Sequence, residues 1–378
     1  MIRNKVYLVS FEYFPISQGG LARHATEIIN RLIRTDLTYE AIIAIPKGGK
    51  IKFNDRIKTI SCFFYKNKYL GYIEFALRLC FRYQRDFRVY KVVFFSSFSY
   101  LFNPLLSKKF YLFITNTTKR VFLTNYPGET WLERLVRKIT YFFLFHWENY
   151  MSKKAIKIFA ISDSTKKDII NQYKINKDKI KIIPCALNKV IFKPSKQKTI
   201  FNKKLLFVGR LVPRKNIIDL IKIMRLLINT DKGFILNVVG EGEKAYVEKI
   251  KKEVFRKNLQ NNIIFHDKVP DDKLNKLYES NGIFVFTSLV EGFGLVLLEA
   301  MSKGLPVIAY NVNGVKDVII NNLNGYLVKP FDYQDFVNKI ISLYKDKDSY
   351  REMSKNVLKR MDDFNWDTSI QKLINEIK

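Results

Sequence analysis

Short apolar runs rich in Val, Ile and Phe alternate with helix-patterned segments along almost the whole chain. The first half offers Lys5–Ser10, Ala41–Ile45, Val92–Phe95, Tyr111–Thr115, Ile156–Ile161 and Ile180–Pro184. The second offers Lys204–Val208, Ile235–Val239, Ile263–Phe265, Ile283–Thr287, Pro306–Ala309 and Tyr326–Val328. Strands without polar alternation are buried on both faces, which places them in parallel sheets covered by helices. Each strand–helix–strand step is then a βαβ unit. Two such sets in 378 residues predict an α/β protein of two doubly wound, Rossmann-like domains. The polar, Pro-containing stretch from Phe192 puts the boundary near Lys193–Gln197, giving domains 1–195 and 196–363. Ligands of open α/β sheets bind beyond the carboxyl ends of the strands, so two facing sheets predict an interdomain cleft.

Charge narrows the partners. The chain carries 66 Lys+Arg against 35 Asp+Glu, a formal net charge of +31, with 47% hydrophobic and 15% aromatic residues. That composition supports a large core and excludes a disordered basic tail, a collagen-like chain and a disulfide scaffold. The charge is uneven: residues 1–200 hold 37 Lys+Arg and 13 Asp+Glu, the remainder 29 and 22. A codon bias toward Lys acts on the whole chain and does not explain the asymmetry. An anionic partner does, whether nucleic acid, membrane or phosphorylated substrate.

Cys62, Cys80 and Cys185 lack CxxC spacing, which suits a reducing compartment. His24, His146 and His266 lie far apart, outside any ligand pattern, so no metal site is expected. The amino terminus has no signal-like apolar stretch, and the longest uncharged run, Val92–Ser107, is broken by Pro and shorter than the ~20 residues of a bilayer span. A cytoplasmic protein, soluble or peripheral, is expected.

Three segments carry chemistry. Gly19-Gly20 follows the first strand and opens a helix, where the backbone can approach an anion; without GxGxxG spacing, no dinucleotide fold is specified. Val208-Gly209-Arg210-Leu-Val-Pro213-Arg214-Lys215-Asn216 places cations after a buried strand, a suitable clamp for a diphosphate or else a solvated basic turn. Thr287-Ser-Leu-Val-Glu291-Gly292-Phe293-Gly294-Leu295 turns sharply into a helix bearing Glu299. Backbone N–H groups at that turn suit phosphate or sugar oxygens. Two carboxylates there can accept hydrogen bonds from separate hydroxyls of one ligand, and Glu299, between Leu298 and Ala300, is expected to face a cleft.

The stretch from Glu291 to Glu299, continuing through Lys303-Gly-Leu-Pro, resembles the E-x7-E signature of retaining family 4 glycosyltransferases with the GT-B fold. The resemblance extends through Gly19-Gly20, the 208–216 segment, Val239-Gly-Glu-Gly, Gly314 and Asn324-Gly325. It implies that Arg210 and Lys215 hold the diphosphate of a nucleotide-sugar donor, such as a UDP- or GDP-sugar. Glu299 would bind ribose hydroxyls, and Glu291 would bind the donor sugar. Backbone groups of Gly209, Gly292, Phe293, Gly294 and Leu295 would line the donor site, and Gly20 would approach the phosphates from the other domain. The family implies no metal or other cofactor, because protein cations neutralise the phosphates. It also implies that the carboxyl-terminal helix, within 364–378, packs back on the first domain.

The chain departs from the family at two places. Many relatives carry a histidine after the fourth amino-terminal strand, where this chain runs into Asn116-Thr-Thr. Asn116 is the candidate replacement, able to bond a hydroxyl but not to titrate. His24 is a second candidate for the acceptor side, against a reading as a helix residue at the domain surface. Pro184-Cys185-Ala186 stands where relatives have Pro-Asn-Gly, so a different turn is expected.

The acceptor, a glycan or a lipid-linked one, is expected at the basic amino-terminal half. There cations mix with aromatics in 81–91 and 131–145, and such a helix can lie on an anionic membrane. A nucleic-acid-binding protein would leave the glycine and glutamate motifs unexplained and shows no zinc-finger or RNP spacing. An NDP-sugar epimerase or hydrolase on the same fold is the remaining alternative.

Overall fold

The computed structural model describes residues 5–17, 19–36, 38–49, 53–65, 68–95, 109–127, 129–188, 192 and 200–377. The chain divides into two compact units. The first is Met1–Phe122, Lys138–Pro184 and Asp367–Lys378; the second is Leu123–Arg137 and Cys185–Trp366. The boundary expected at Lys193–Gln197 lies outside the described residues.

The first unit is a parallel sheet of β1 (Val6–Ser10), β2 (Tyr39–Pro46), β3 (Ile57–Cys62), β4 (Lys91–Phe94), β5 (Phe110–Ile114), β6 (Lys157–Ala160) and β7 (Ile180–Ile182). Their order is β3-β2-β1-β4-β5-β6-β7. The helices in this part of the chain are α1 (Gly20–Thr35), α2 (Lys68–Val89), α3 (Thr118–Leu123), α4 (Trp131–Lys154) and α5 (Asp163–Tyr173). β1 and β5 are buried at every position, as an uninterrupted apolar run requires in a sheet covered on both faces.

β3 is the strand that the apolar-run pattern misses. It pairs only with β2 and alternates, with Ile60 and Cys62 turned inward and Ser61 outward. An edge strand with one solvated side has no continuous apolar run to find. On this sheet face, α2 supplies Tyr72, Phe75, Leu79, Tyr83 and Phe87 to one core, and α4 supplies Met151, with Phe145 and Trp147 packed against it.

The second unit is built the same way. Its strands are β8 (Lys204–Val208), β9 (Ile235–Val239), β10 (Ile263–His266), β11 (Ile283–Phe286), β12 (Val307–Tyr310) and β13 (Gly325–Val328). Its helices are α6 (Ile217–Thr230), α7 (Lys244–Arg256), α8 (Asp271–Ser280), α9 (Leu295–Ser302), α10 (Val315–Val318), α11 (Tyr333–Lys345) and α12 (Lys347–Arg360). All pairings are parallel, in the order β10-β9-β8-β11-β12-β13. The chain therefore reverses its direction of travel across the sheet between β8 and β11. Such a switch point opens a crevice at the carboxyl ends of the two strands. Among the described residues, no helix is long and apolar enough to cross a membrane.

The last helix, α13 (Trp366–Ile377), belongs to the first unit from Asp367 onward. Ser369 Oγ donates to the Pro184 carbonyl at 2.9 Å, and Lys91 Nζ donates to the Ile377 carbonyl at 2.6 Å. Glu376 pairs with Lys157 and, at 3.3 Å, with Lys181, which holds its carboxyl below the ordinary range against the opposing effect of burial. Ile370, Leu373 and Ile377 form the buried face. Leu373→Ala should therefore destabilise the first unit by about 2–5 kcal/mol. Urea unfolding checks this; a cost within experimental error would show that α13 does not pack.

Candidate active site at the switch point

The segments after β8 and β11 meet because the backbone stitches them together. Pro213–Lys215 forms one turn of 3-10 helix, and Asn216 follows in the left-handed region at φ 53, which asparagine tolerates. Leu289 N–H donates to the Arg214 carbonyl at 2.9 Å, and the Thr287 hydroxyl donates to the Asn216 carbonyl at 3.0 Å. Arg214 Nη1 donates to the Val290 carbonyl at 3.1 Å. Beneath the turn, the fully buried Asp219 accepts from Asn216 Nδ2 at 2.5 Å, Tyr310 at 2.8 Å and Tyr333 at 2.9 Å. That network locks the start of α6 and so the turn before it.

The turn aims Lys215 at Glu291. Lys215 Nζ hydrogen-bonds Glu291 Oε2, Arg214 Nη1 stands 3.7 Å from the same oxygen, and the ammonium lies 4.5 Å over the Phe286 ring. Arg210 is exposed at the rim, near enough for its charge to act on Lys215. One carboxylate thus serves two cations, Lys215 and Arg214, with the charge of Arg210 close to Lys215. Burial lowers the Lys215 ammonium to about 8 against the pull of Glu291, and the charges of Arg214 and Arg210 add to the lowering. Burial alone would raise the Glu291 carboxyl, but Lys215 and Arg214 outweigh it and hold the group below the ordinary carboxylate range. Burial, with Glu291 nearby, raises the Cys185 thiol, so Cys185 stays a neutral wall residue.

The backbone beyond Glu291 is shaped by two close approaches. Gly294 precedes α9 at φ 90, and a Cβ on it would meet Leu297 Cδ1 at 2.8 Å. Gly314, at φ 85, lies against the Glu291 carbonyl, where a Cβ would come within 2.5 Å. Phe293 turns inward, edge-on to Phe364 at 5.5 Å, so only its backbone can meet a ligand. Gly292 and Gly294 are buried, and Leu295 is half-buried at the first position of α9. No acidic residue lies in the first turn of α9, whose N–H groups face outward along the axis. One turn on, Glu299 is buried, and its Oε2 accepts from the Tyr278 hydroxyl of α8 at 2.8 Å.

The structure thus gathers Gly209, Arg210, Lys215, Glu291, Gly292, Phe293, Gly294, Leu295 and Glu299 on elements at one end of the second sheet. In the first unit, Gly20 is exposed at the start of α1, whose first turn carries no acid. Asn116 follows β5, and its Oδ1 is buried without a hydrogen-bond partner among the described residues. His24 is not a helix residue at the domain surface. It is buried among the core residues of α1, edge-on to Phe113 at 5.4 Å, and burial lowers its pKa to about 4. Position 24 lies on the same helical face as Ala25, Ile28 and Leu32.

Tyr278 and Asp219 are the functional supports that the sequence reading misses. Asp219 had a signal, a carboxylate inside the apolar run Ile217-Ile-Asp219-Leu-Ile. Tyr278 had none.

The folded chain is a GT-B protein. It superposes on sucrose-phosphate synthase from Thermosynechococcus elongatus over 99% of this chain and 98% of that one, with a TM-score of 0.80 at 19% identity, a likeness of fold. Residues 18–189 match the model of Glycosyltransferase Family 4, and residues 191–360 match that of Glycosyl transferases group 1. The chain belongs to the family 4 glycosyltransferases. It is 30% identical over 181 residues to a poly(glycerol-phosphate) alpha-glucosyltransferase of Bacillus subtilis, covering 45% of this chain and 26% of that one. It is 27% identical over 229 residues to a UDP-Gal:alpha-D-GlcNAc-diphosphoundecaprenol alpha-1,3-galactosyltransferase of Escherichia coli, covering 56% and 57%. The matches thus span less than two thirds of each of these relatives.

The lowered Lys215 pKa sets a pH dependence. A depressed ammonium keeps its charge below about 8 and loses it as pH rises through that value. Affinity for a diphosphate probe such as UDP should hold up to about that pH and fall by up to about tenfold per pH unit above it. Lys215→Met should remove that alkaline limb. Calorimetric titration at several pH values checks this, and a flat profile to pH 10 would contradict it.

Proposed function

We propose that the protein is a retaining glycosyltransferase that moves a sugar from a UDP- or GDP-sugar to a glycan or lipid-linked acceptor in surface glycoconjugate synthesis. The observation that carries this reading is the convergence of Lys215 and Arg214 on Glu291, with Arg210 close to Lys215, beside the start of α9. The Escherichia coli galactosyltransferase takes UDP-Gal and an alpha-D-GlcNAc-diphosphoundecaprenol acceptor, in keeping with this proposal.

Arg210 and Lys215 bind the donor diphosphate, joined by the N–H groups of 293–295. Glu299, steadied by Tyr278, accepts from ribose hydroxyls. Glu291 orients Lys215 and accepts from the sugar. Asn116 bonds a sugar hydroxyl on the acceptor side and moves no proton. In the reaction, the bond from the anomeric carbon to the diphosphate oxygen breaks, and its electron pair leaves with the phosphate. The acceptor hydroxyl oxygen bonds to the same face of that carbon, and its proton passes to the departing phosphate oxygen. Negative charge grows on the diphosphate as the bond breaks, so fixed cations favour the transition state over the ground state. These side chains supply the charge that a divalent ion would otherwise bring, so chelators should not slow the reaction. The enzyme works in the cytoplasm, peripherally at the inner face of the cell membrane. Nucleic acid has no part in the scheme.

Incubating the protein with a panel of UDP- and GDP-sugars, with and without glycan or lipid-linked acceptors, should give acceptor-dependent release of the nucleoside diphosphate. Proton NMR of the product should show the donor's anomeric configuration. Arg210→Ala and Lys215→Ala should each lower kcat by roughly 10²–10³-fold. Near-normal turnover in either variant would refute the assigned roles, and turnover of donor without any acceptor product would favour an epimerase or hydrolase.

A further inference from the structure

The first unit carries an apolar surface that its own fold leaves uncovered. On α2 the inner face holds Tyr72, Phe75, Leu79, Tyr83 and Phe87. The opposite face presents Ile73, Leu77 and Phe81 to solvent, Phe81 with 79% of its surface exposed. Arg78, Arg82, Arg85 and Arg88 are exposed among and beyond them. The acids on this helix are Glu74, held by the Phe64 N–H at 2.9 Å and by Arg78, and Asp86. The Phe64 bond brings Phe63 alongside, 63% exposed and 5.0 Å from Lys47.

α4 repeats the construction. Ile139, Phe142, Phe143 and Tyr150 are exposed, Phe143 at 68%, with Lys153 and Lys154 at the end of the helix. The inner faces of α2 and α4 share one core, and Tyr72 and Tyr141 are close enough to interact electrostatically. Their outer faces therefore lie on the same side of the sheet. A helix whose two opposite faces are both apolar, one of them flanked by cations, has a second surface to bury.

We infer that the outer faces of α2 and α4 dock the protein on an anionic lipid bilayer, the apolar side chains entering the interface and the arginines and lysines meeting the headgroups. Charge selects this occupant. A second copy would bring the same cations to the face, within a segment where residues 1–200 hold 37 Lys+Arg against 13 Asp+Glu. A nucleic acid would use the cations and leave exposed Leu, Ile and Phe without a partner. The inference deepens the proposed function, since it rests on a membrane-anchored acceptor, and it names the surface that meets the membrane.

The test is flotation of the full chain with vesicles of phosphatidylcholine containing phosphatidylglycerol, and with phosphatidylcholine alone. The protein should float with the anionic vesicles at low salt and stay at the bottom with the neutral ones. Each Arg→Gln change among Arg82, Arg85 and Arg88 should weaken partitioning by about fivefold. Phe81→Glu and Phe143→Glu should weaken it further. Donor turnover on a water-soluble acceptor should be unchanged in all of these, which also verifies their folding. No flotation of the wild type at low salt would overturn the inference. So would concentration-dependent dimerisation that Phe81→Glu abolishes without any vesicle binding. A wild type that floats but turns over no donor would refute the proposed function and leave the docking surface standing.

Discussion

The second unit depends on a buried ion cluster in which, among the described residues, two cations share one carboxylate. Glu291 is the carboxylate that Lys215 and Arg214 share, and it comes from the loop after β11 while they come from the turn after β8. Removing one partner of a buried pair leaves a desolvated charge, at a cost of roughly 3–5 kcal/mol. The pair therefore ties together the two connections that flank the switch point. Burial, more than the neighbouring cations, makes Lys215 easy to deprotonate, and two cations sharing one carboxylate suit the site to an anion.

That cluster holds its geometry because its supports are not themselves in the site. Asp219, with Asn216, Tyr310 and Tyr333, pins the first turn of α6 from below. Gly314 lets a neighbouring loop press against the Glu291 carbonyl from the side. Tyr278 restrains Glu299 with one hydrogen bond. Each support comes from a different part of the second unit, so the site is a product of the whole sheet rather than of one motif. The first unit repeats that strand order and adds a seventh strand. Its α2 and α4 cover the sheet with one face and turn a second apolar face outward.

Much of this was legible in the sequence. Twelve apolar runs each coincide with a strand, and the Gly-Phe-Gly turn and the cationic turn lie at strand ends as their spacing implies. What was not legible shares one cause. β3 alternates because it sits at an edge, and His24 reads as a polar helix residue yet is buried against Phe113. Tyr278, one of 21 tyrosines, becomes distinctive only when α8 lies beside α9. In each case the role is set by a neighbour distant in the chain.

By itself, the sequence determined the class of the fold, the number of sheets and the segments that carry charge or flexible backbone. Those are local properties: hydrophobic periodicity, glycine at a turn and cations after a strand. The tertiary structure alone decided that Glu291 is shared among cations, that Glu299 leans on Tyr278, that His24 is neutral core and that α2 has a second apolar face in the open. These depend on burial and on pairwise distance, and both arise only when segments far apart in the chain are packed together.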